Sequence, residues 1–381
     1  MDKNNSFEKL SLNENLLKGV YLYGFTHPSS IQIKGIDVIS TGKDCILQSQ
    51  SGTGKTAMYL LGALNRLNKN TLGIIVTPTR ELATQVYDVA IELSKFTDYN
   101  IVKCIGGTDV YQNKNELKSA NLIIGTLGRI NHMISDKKIN TSKLVFLILD
   151  EADELLADGI TDKLSSLFEI ISKDNQLIFI SATMTTEVFN ISKKYMIEPT
   201  KVLLKNNEVI VDLIKQFYLD VENEEYKFDT LLDLYNLIST SQAIIFCNTI
   251  RKVEWLEQNL KQNNFPITVI HSNMTQEERN NTVQQFRDGH TRLLLTTDLL
   301  SRGIDIPQVN LVINYDLPPN KETYVHRIGR CGRFDKTGVS ITMVKMQDSM
   351  DVKTFNKMRY HYRIIIKELP ANIDSVIKST S

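Results

Sequence analysis

Three short segments of this chain carry residue types and spacings that could do chemistry. The first is Ser51-Gly52-Thr53-Gly54-Lys55-Thr56, followed by a helical pattern. Glycines let backbone N–H groups turn toward phosphate oxygens, and a following helix adds the favourable end of its dipole. In such a loop Lys55 reaches the β- and γ-phosphates and the Thr56 hydroxyl is placed to ligate magnesium. The general spacing asks for glycine five residues before Gly54, where this chain has Ser49. The second segment is the apolar run Phe146–Leu149 leading into Asp150-Glu151-Ala152-Asp153. It places carboxylates at the C-terminal edge of a strand, where open α/β sheets bind ligands. Asp150 is the candidate to hold Mg²⁺ through water, and Glu151 to orient and deprotonate an attacking water. An acidic helix start favoured by the dipole would look alike in isolation. The phosphate loop upstream decides against that reading. The third segment, His326 to Arg333, holds three arginines and a histidine. Guanidinium groups stabilise charge on a transferring phosphoryl group. Arg330 and Arg333 are three apart, hence on one face if the segment is helical.

Elements able to position these groups are legible in the hydrophobic pattern. Short apolar runs at Asp44–Leu47, Gly73–Val76, Leu122–Ile124, Val145–Leu149 and Leu177–Ile180 read as strands buried on both faces. Helical patterns lie between them, at Thr56–Leu67, Glu81–Ser94 and Thr185–Tyr195. Such alternation predicts α/β architecture, with a mostly parallel sheet and helices on both faces. The grammar restarts after Lys215, with strand-like runs at Ala243–Phe246, Thr268–Ile270, Arg292–Leu295, Leu311–Ile313 and Val339–Val344. Helices are expected there at Arg251–Asn263, Gln276–Arg287 and Lys321–His326. The chain therefore reads as two copies of one plan: residues 1–205, a short polar linker at 206–212, and residues 213–381.

Composition narrows the function classes. The 381 residues carry 44 Lys+Arg against 44 Asp+Glu, so bulk charge cannot hold the chain on nucleic acid or an anionic membrane. At 42% hydrophobic and 23% charged, it lies near the globular average. Cys45, Cys104, Cys247 and Cys331 stand far apart and fit neither a disulfide framework nor a zinc site, which suits a reducing compartment. The polar start lacks a signal-peptide core, and the longest apolar runs are too short for a bilayer. A cytoplasmic protein with no membrane partner is expected.

Taken in order, the segments resemble the motifs of the DEAD-box RNA helicases, from about Phe7 to the C-terminus. The resemblance implies two tandem RecA-like domains joined by a short linker, ATP and Mg²⁺ as cofactors, and RNA-dependent ATPase and helicase activity. It is strongest to the branch of the family acting in translation initiation. By the same resemblance, Phe25 and Gln32 sense adenine ahead of Ser51, Gly52, Thr53, Gly54, Lys55 and Thr56. Pro78, Thr79, Arg80, Gly106-Gly107, Thr126 and Arg129 contact the RNA backbone from the first half. Arg279, Thr297 and Arg302 do so from the second, within Gln276–Arg279 and Thr296–Asp305. Gly303 and Asp305 lie near the ATP ribose and phosphates. Ser181 and Thr183, with His326, couple hydrolysis to domain closure, and Arg330 and Arg333 act as arginine fingers. Leu127 stands where the family pattern has proline, and His271-Ser272-Asn273 replaces His-Gly-Asp. The expected partners are single-stranded or structured RNA and protein regulators or a scaffold, with no sequence-specific DNA, bound by a monomer. An ATP-gated RNA clamp that unwinds little would use the same residues and stays open as an alternative.

Overall fold

The computed structural model describes residues 6–50, 52–107, 116–157, 161–170, 172, 174–205, 208–210, 213–237, 242–298, 309–331 and 337–370. Its contacts divide the chain into two units, with the main break between Leu203 and Leu204. In the first unit the strands are β1 (Cys45–Gln48), β2 (Leu72–Thr77), β3 (Ile101–Cys104), β4 (Leu122–Thr126), β5 (Leu144–Asp150), β6 (Gln176–Ser181) and β7 (Thr200–Val202). They form one sheet in the order β3-β4-β2-β5-β6-β1-β7, with every pairing parallel.

Alternate residues of each strand feed opposite faces, which is why these runs are apolar throughout. Phe146 and Ile148 of β5 enter one core with Ile75, Ile178 and the helix Lys55–Leu64. Leu147 and Leu149 enter the other with Ile74, Ile123 and Phe179.

The second unit repeats the plan. Its strands are β8 (Ile214–Asp220), β9 (Ala243–Phe246), β10 (Ile267–Ile270), β11 (Leu293–Thr296), β12 (Leu311–Asn314), β13 (Gly338–Val344) and β14 (Lys367–Glu368). The order β10-β11-β9-β12-β13-β8-β14 is the first order with every strand number raised by seven, again all parallel. The duplicated α/β plan expected from the sequence is thus a duplicated topology.

The strands without a sequence signal were β3, β7, β8 and β14. β7 and β14 are short and mostly exposed, and β8 is only intermittently buried, so none shows a buried apolar run. Helices at Glu14–Leu22, Tyr226–Leu237 and Ser349–Tyr362 were likewise not anticipated, whereas the helical stretch expected after the β4 strand is the helix Leu127–Ser135. Among the described residues no helix is long and apolar enough to cross a membrane.

Candidate nucleotide and RNA site

Apart from Phe25 and Gln32, which precede β1, every candidate group described in the first unit sits at or just beyond the C-terminal end of a parallel strand or on the element that follows. The edge is common because the registers align: Gln48 of β1 pairs with Ser181 of β6, and Thr77 of β2 with Thr126 of β4. β1 ends at Gln48, and after the loop the helix Lys55–Leu64 begins. Gly54 caps that helix at φ 85°, a left-handed conformation that glycine adopts without Cβ strain. A Cβ there would lie 2.5 Å from Gln32 Nε2. Ser49, the departure from the glycine pattern, is used inside the loop, its hydroxyl 2.6 Å from that of Thr53.

Beside the loop, β5 ends at Asp150. Glu151 then adopts φ 50° and ψ 54°, a left-handed conformation costing a non-glycine residue about 1–3 kcal/mol. Its N–H donates to Asp150 Oδ1 at 3.0 Å, and its carboxylate pairs with Lys55 Nζ at 3.3 Å. The candidate base and the phosphate-binding cation, far apart in sequence, are therefore in contact. Asp150 Oδ2 accepts from the Tyr59 hydroxyl at 2.7 Å. Burial, and then the Glu151 charge, hold the Asp150 carboxyl up at about 6, against the pull of Lys55 and Tyr59.

Asp153, the last acid of the run, accepts from Ser181 Oγ at 2.7 Å and from the Thr183 hydroxyl. Sequence reading gave Asp153 no role, although its presence in the acidic run was the signal. β6 lies beside β5, so Ser181 and Thr183 are tied to the acidic turn directly. Gln32 caps its own helix, Ser30–Ser40. Its Oε1 accepts from Ser29 N–H at 2.8 Å while Nε2 donates to the Gly54 carbonyl at 3.4 Å. Each amide end keeps capacity for one further bond. Phe25 is half-buried, 4.9 Å from Tyr23 and 6.2 Å from Phe7 between ring centroids.

A second group gathers along the same edge. Thr79, after Pro78, caps the helix Arg80–Leu93 by accepting from Leu82 N–H at 3.2 Å. The Arg80 guanidinium lies over Gly106 and Gly107, where added Cβ atoms would each lie 3.0 Å from it. Arg129 is near enough to Cys104, at the end of β3, to oppose the burial that lifts that thiol to about 12. Thr126 heads the helix Leu127–Ser135 without spending its side chain on a cap.

Leu127 is the first residue of this helix, and its side chain is buried in the core with Ile123 and Ile130. On sequence alone, Leu127→Pro would tighten RNA binding by about 0.4–1 kcal/mol through lost chain freedom. Its burial adds a cost in folding stability instead, since a buried leucine contributes about 1.5–3 kcal/mol. Leu127→Pro is therefore expected to lower stability in urea unfolding; an unchanged midpoint would show that proline replaces the packing.

In the second unit the arginine run divides. Its helix, Lys321–Ile328, ends before Arg330, so Arg330 does not lie on a face of that helix. Arg330 is buried, with Nε donating to the His326 carbonyl at 3.3 Å, and His326 is fully buried. Arg327, which sequence reading left without a separate role, is wholly engaged. Its Nε and Nη2 grip both Asp298 oxygens at 2.6 and 3.0 Å. Its Nη1 donates to the Asp316 carbonyl at 3.0 Å and Nη2 to Asn248 Oδ1 at 2.7 Å. Phe246 lies beneath it, 5.4 Å away. Arg279 is buried on the helix Gln276–Arg287, and Thr297 is half-buried after β11. Ser51, Arg302, Gly303, Asp305 and Arg333 lie outside the described residues.

With this geometry in place, comparison with known proteins is decisive. The family model for DEAD/DEAH box helicases matches residues 29–191, and that for the helicase conserved C-terminal domain matches residues 226–335. Eukaryotic initiation factor 4A of Caenorhabditis elegans is 42% identical over 98% of this chain and 93% of its own length. The chain belongs to the DEAD-box RNA helicase family. The ATP-dependent RNA helicase eIF4A of Emericella nidulans is 44% identical to this helicase, over 98% of the chain and 94% of the relative. Among solved structures, S. cerevisiae Dbp5 bound to RNA and ADP BeF3 has a TM-score of 0.91 and 34% identity, covering 99% of each chain. Mss116p bound to ssRNA and AMP-PNP has a TM-score of 0.85 and 26% identity, covering 98% of this chain and 80% of that one. The two sheets are the tandem RecA-like folds of DEAD-box proteins, and the enzyme class is RNA-dependent ATPase.

The buried acid of this helicase carries a stability signature. Because Asp150 titrates at about 6 rather than 3.8, the folded chain retains a proton in that window which the unfolded chain has released. Folding then loses stability as pH rises through the window. Relative to the parent, Asp150→Asn should gain stability as pH is raised from about 4 to above 6. Parallel melting curves that stay offset by a constant amount would contradict the raised value.

Proposed function

We propose that this helicase couples ATP hydrolysis to local unwinding or remodelling of RNA in translation initiation. The observation that carries the reading is the Lys55–Glu151 contact at 3.3 Å, which puts a phosphate-binding cation and a candidate base at one strand edge. A γ-phosphate entering the loop competes for Lys55 and frees the Glu151 carboxylate to orient a water and take its proton. The hard oxygen donors Asp150 and Thr56 suit Mg²⁺. When bound, that ion would neutralise charge on the phosphate oxygens.

Gln32 and Phe25 bind adenine with the remaining amide capacity and ring edge. Residues 1–205 hold the nucleotide, residues 206–212 form the linker, and residues 213–381 form the second domain. RNA is read through phosphate and 2′-OH groups by Pro78, Thr79, Arg80, Gly107, Thr126 and Arg129, with Arg279, Thr297 and Arg302. Ser181 and Thr183 link the acidic turn to that surface through Asp153, and His326 takes part in the coupling. Arg330 and Arg333 stabilise charge on the transferring phosphoryl group, with Gly303 and Asp305 at the nucleotide. The initiation role is supported by relatives named initiation factor 4A. The helicase acts as a cytoplasmic monomer whose protein regulators or scaffold supply specificity.

ATPase assays with single-stranded RNA and DNA of the same sequence, alongside separation of a short RNA duplex, test the activity. RNA should stimulate turnover and DNA should not, and a rate indifferent to RNA would refute the reading. For the pathway, excess Glu151→Gln protein should depress translation of an mRNA with a structured leader in an extract. An undiminished yield would remove the initiation role.

A further inference from the structure

The phenol of Tyr59 is a buried hydroxyl to which the mechanism above gives no part. Tyr59 lies on the helix Lys55–Leu64, about one turn beyond Lys55 and Thr56, and is fully buried. Its hydroxyl donates to Asp150 Oδ2 at 2.7 Å, while Oδ1 of the same carboxylate accepts from Glu151 N–H at 3.0 Å. Both oxygens of Asp150 are thus held by donors fixed on rigid elements, one on the phosphate-loop helix and one at the end of β5. Thr56 lies three residues before Tyr59 on the same helix, about one turn away. The phenol therefore fixes one of the two residues read as facing the metal from the helix that carries the other. Phenylalanine would fill the same volume, so packing alone does not require the hydroxyl.

We infer that Tyr59 is a positioning residue whose hydroxyl sets the orientation of Asp150 on the magnesium-facing side of the phosphate loop. The inference rests on the proposed metal-facing role of Asp150 and Thr56. Groups that orient metal-facing carboxylates commonly matter by 10–100-fold in metal affinity. A carboxylate released from one donor samples orientations that the metal must then select against.

The test is fluorescence titration of the full chain with a mant-labelled ATP, once in MgCl₂ and once in EDTA, with apo melting curves verifying the fold of each variant. The informative quantity is the ratio of the two affinities, because a packing defect weakens both alike. Tyr59→Phe should cut the magnesium-dependent gain by about tenfold and leave affinity in EDTA near the parent's. In an Asp150→Asn background the same substitution should change the ratio no further, as expected when one residue acts through another.

If Asp150→Asn lowers the ratio and Tyr59→Phe leaves it unchanged, the positioning role is overturned while the reading of Asp150 stands. If neither lowers it, the metal-facing reading of Asp150 fails and takes the inference with it. Equal weakening in both media would make Tyr59 a packing residue and overturn the inference as well.

Discussion

Glu151→Gln is expected to slow RNA-stimulated ATP turnover by a factor of about 10²–10⁴, the usual contribution of a positioned general base. The substitution is nearly isosteric and leaves the phosphate loop and Asp150 in place, so ATP binding should be retained. One change could strengthen it: Lys55 loses the carboxylate it contacts at 3.3 Å and becomes fully available to phosphate. The left-handed backbone at residue 151 is set by the turn between β5 and the helix Ala152–Leu155, so glutamine inherits the same orientation. The variant should hold RNA longer than the parent whenever ATP is present. Single-turnover phosphate release and RNA dissociation, followed on one preparation, measure both effects. A hydrolysis rate equal to the parent's would mean that another group takes the proton.

The second large effect is expected at Arg330, and Arg327 is its control. Arg330→Ala should leave ATP binding nearly intact and reduce RNA-stimulated turnover by about 10³-fold, on the scale of an arginine finger. Arg330 is buried beside the end of its helix, its Nε donating to the His326 carbonyl at 3.3 Å. Arg327 is different in kind, because hydrogen bonds to Asp298, Asp316 and Asn248 occupy four of its five donors inside the second unit. Arg327→Ala should therefore act on stability. The loss is on the order of 2–3 kcal/mol, below the 3–5 of a wholly buried pair because Asp298 is about a third exposed. Urea unfolding with ATPase assays should separate the variants, one stable and slow, the other unstable. If Arg330→Ala turned over at the parental rate, its place in phosphoryl transfer would be lost.

The chemistry-bearing segments were legible because their signals are local. A glycine-rich turn between strand and helix, or acids ending an apolar run, need only a few neighbouring residues to declare themselves. The buried strands declared themselves too, since a strand covered on both faces must be apolar at every position. β5 and β6 were placed this way, and with them Asp150, Glu151, Ser181 and Thr183. Edge strands such as β7 and β14 gave no such signal, because burial asks nothing of their exposed side.

The sequence by itself determined the family, the doubled α/β plan, and the identity of the phosphate loop, the acidic turn and the arginine run. Only the tertiary structure decided which member of each set touches which partner. Strand order brings β6 against β5, and so gives Asp153 its bonds to Ser181 and Thr183 across 28 and 30 residues. Packing of the loop helix beside β5 joins Tyr59 to Asp150 across 91 residues. Convergence of strand ends in the second unit commits Arg327 to Asn248 and Asp298, while Arg330, three residues on, turns back to the His326 carbonyl. Leu127 occupies the first helical position that its spacing suggested, but the sheet beneath it makes it a core residue. None of these relations has a local signature, because hydrogen bonding and burial act through space between segments whose separation along the chain fixes neither distance nor orientation.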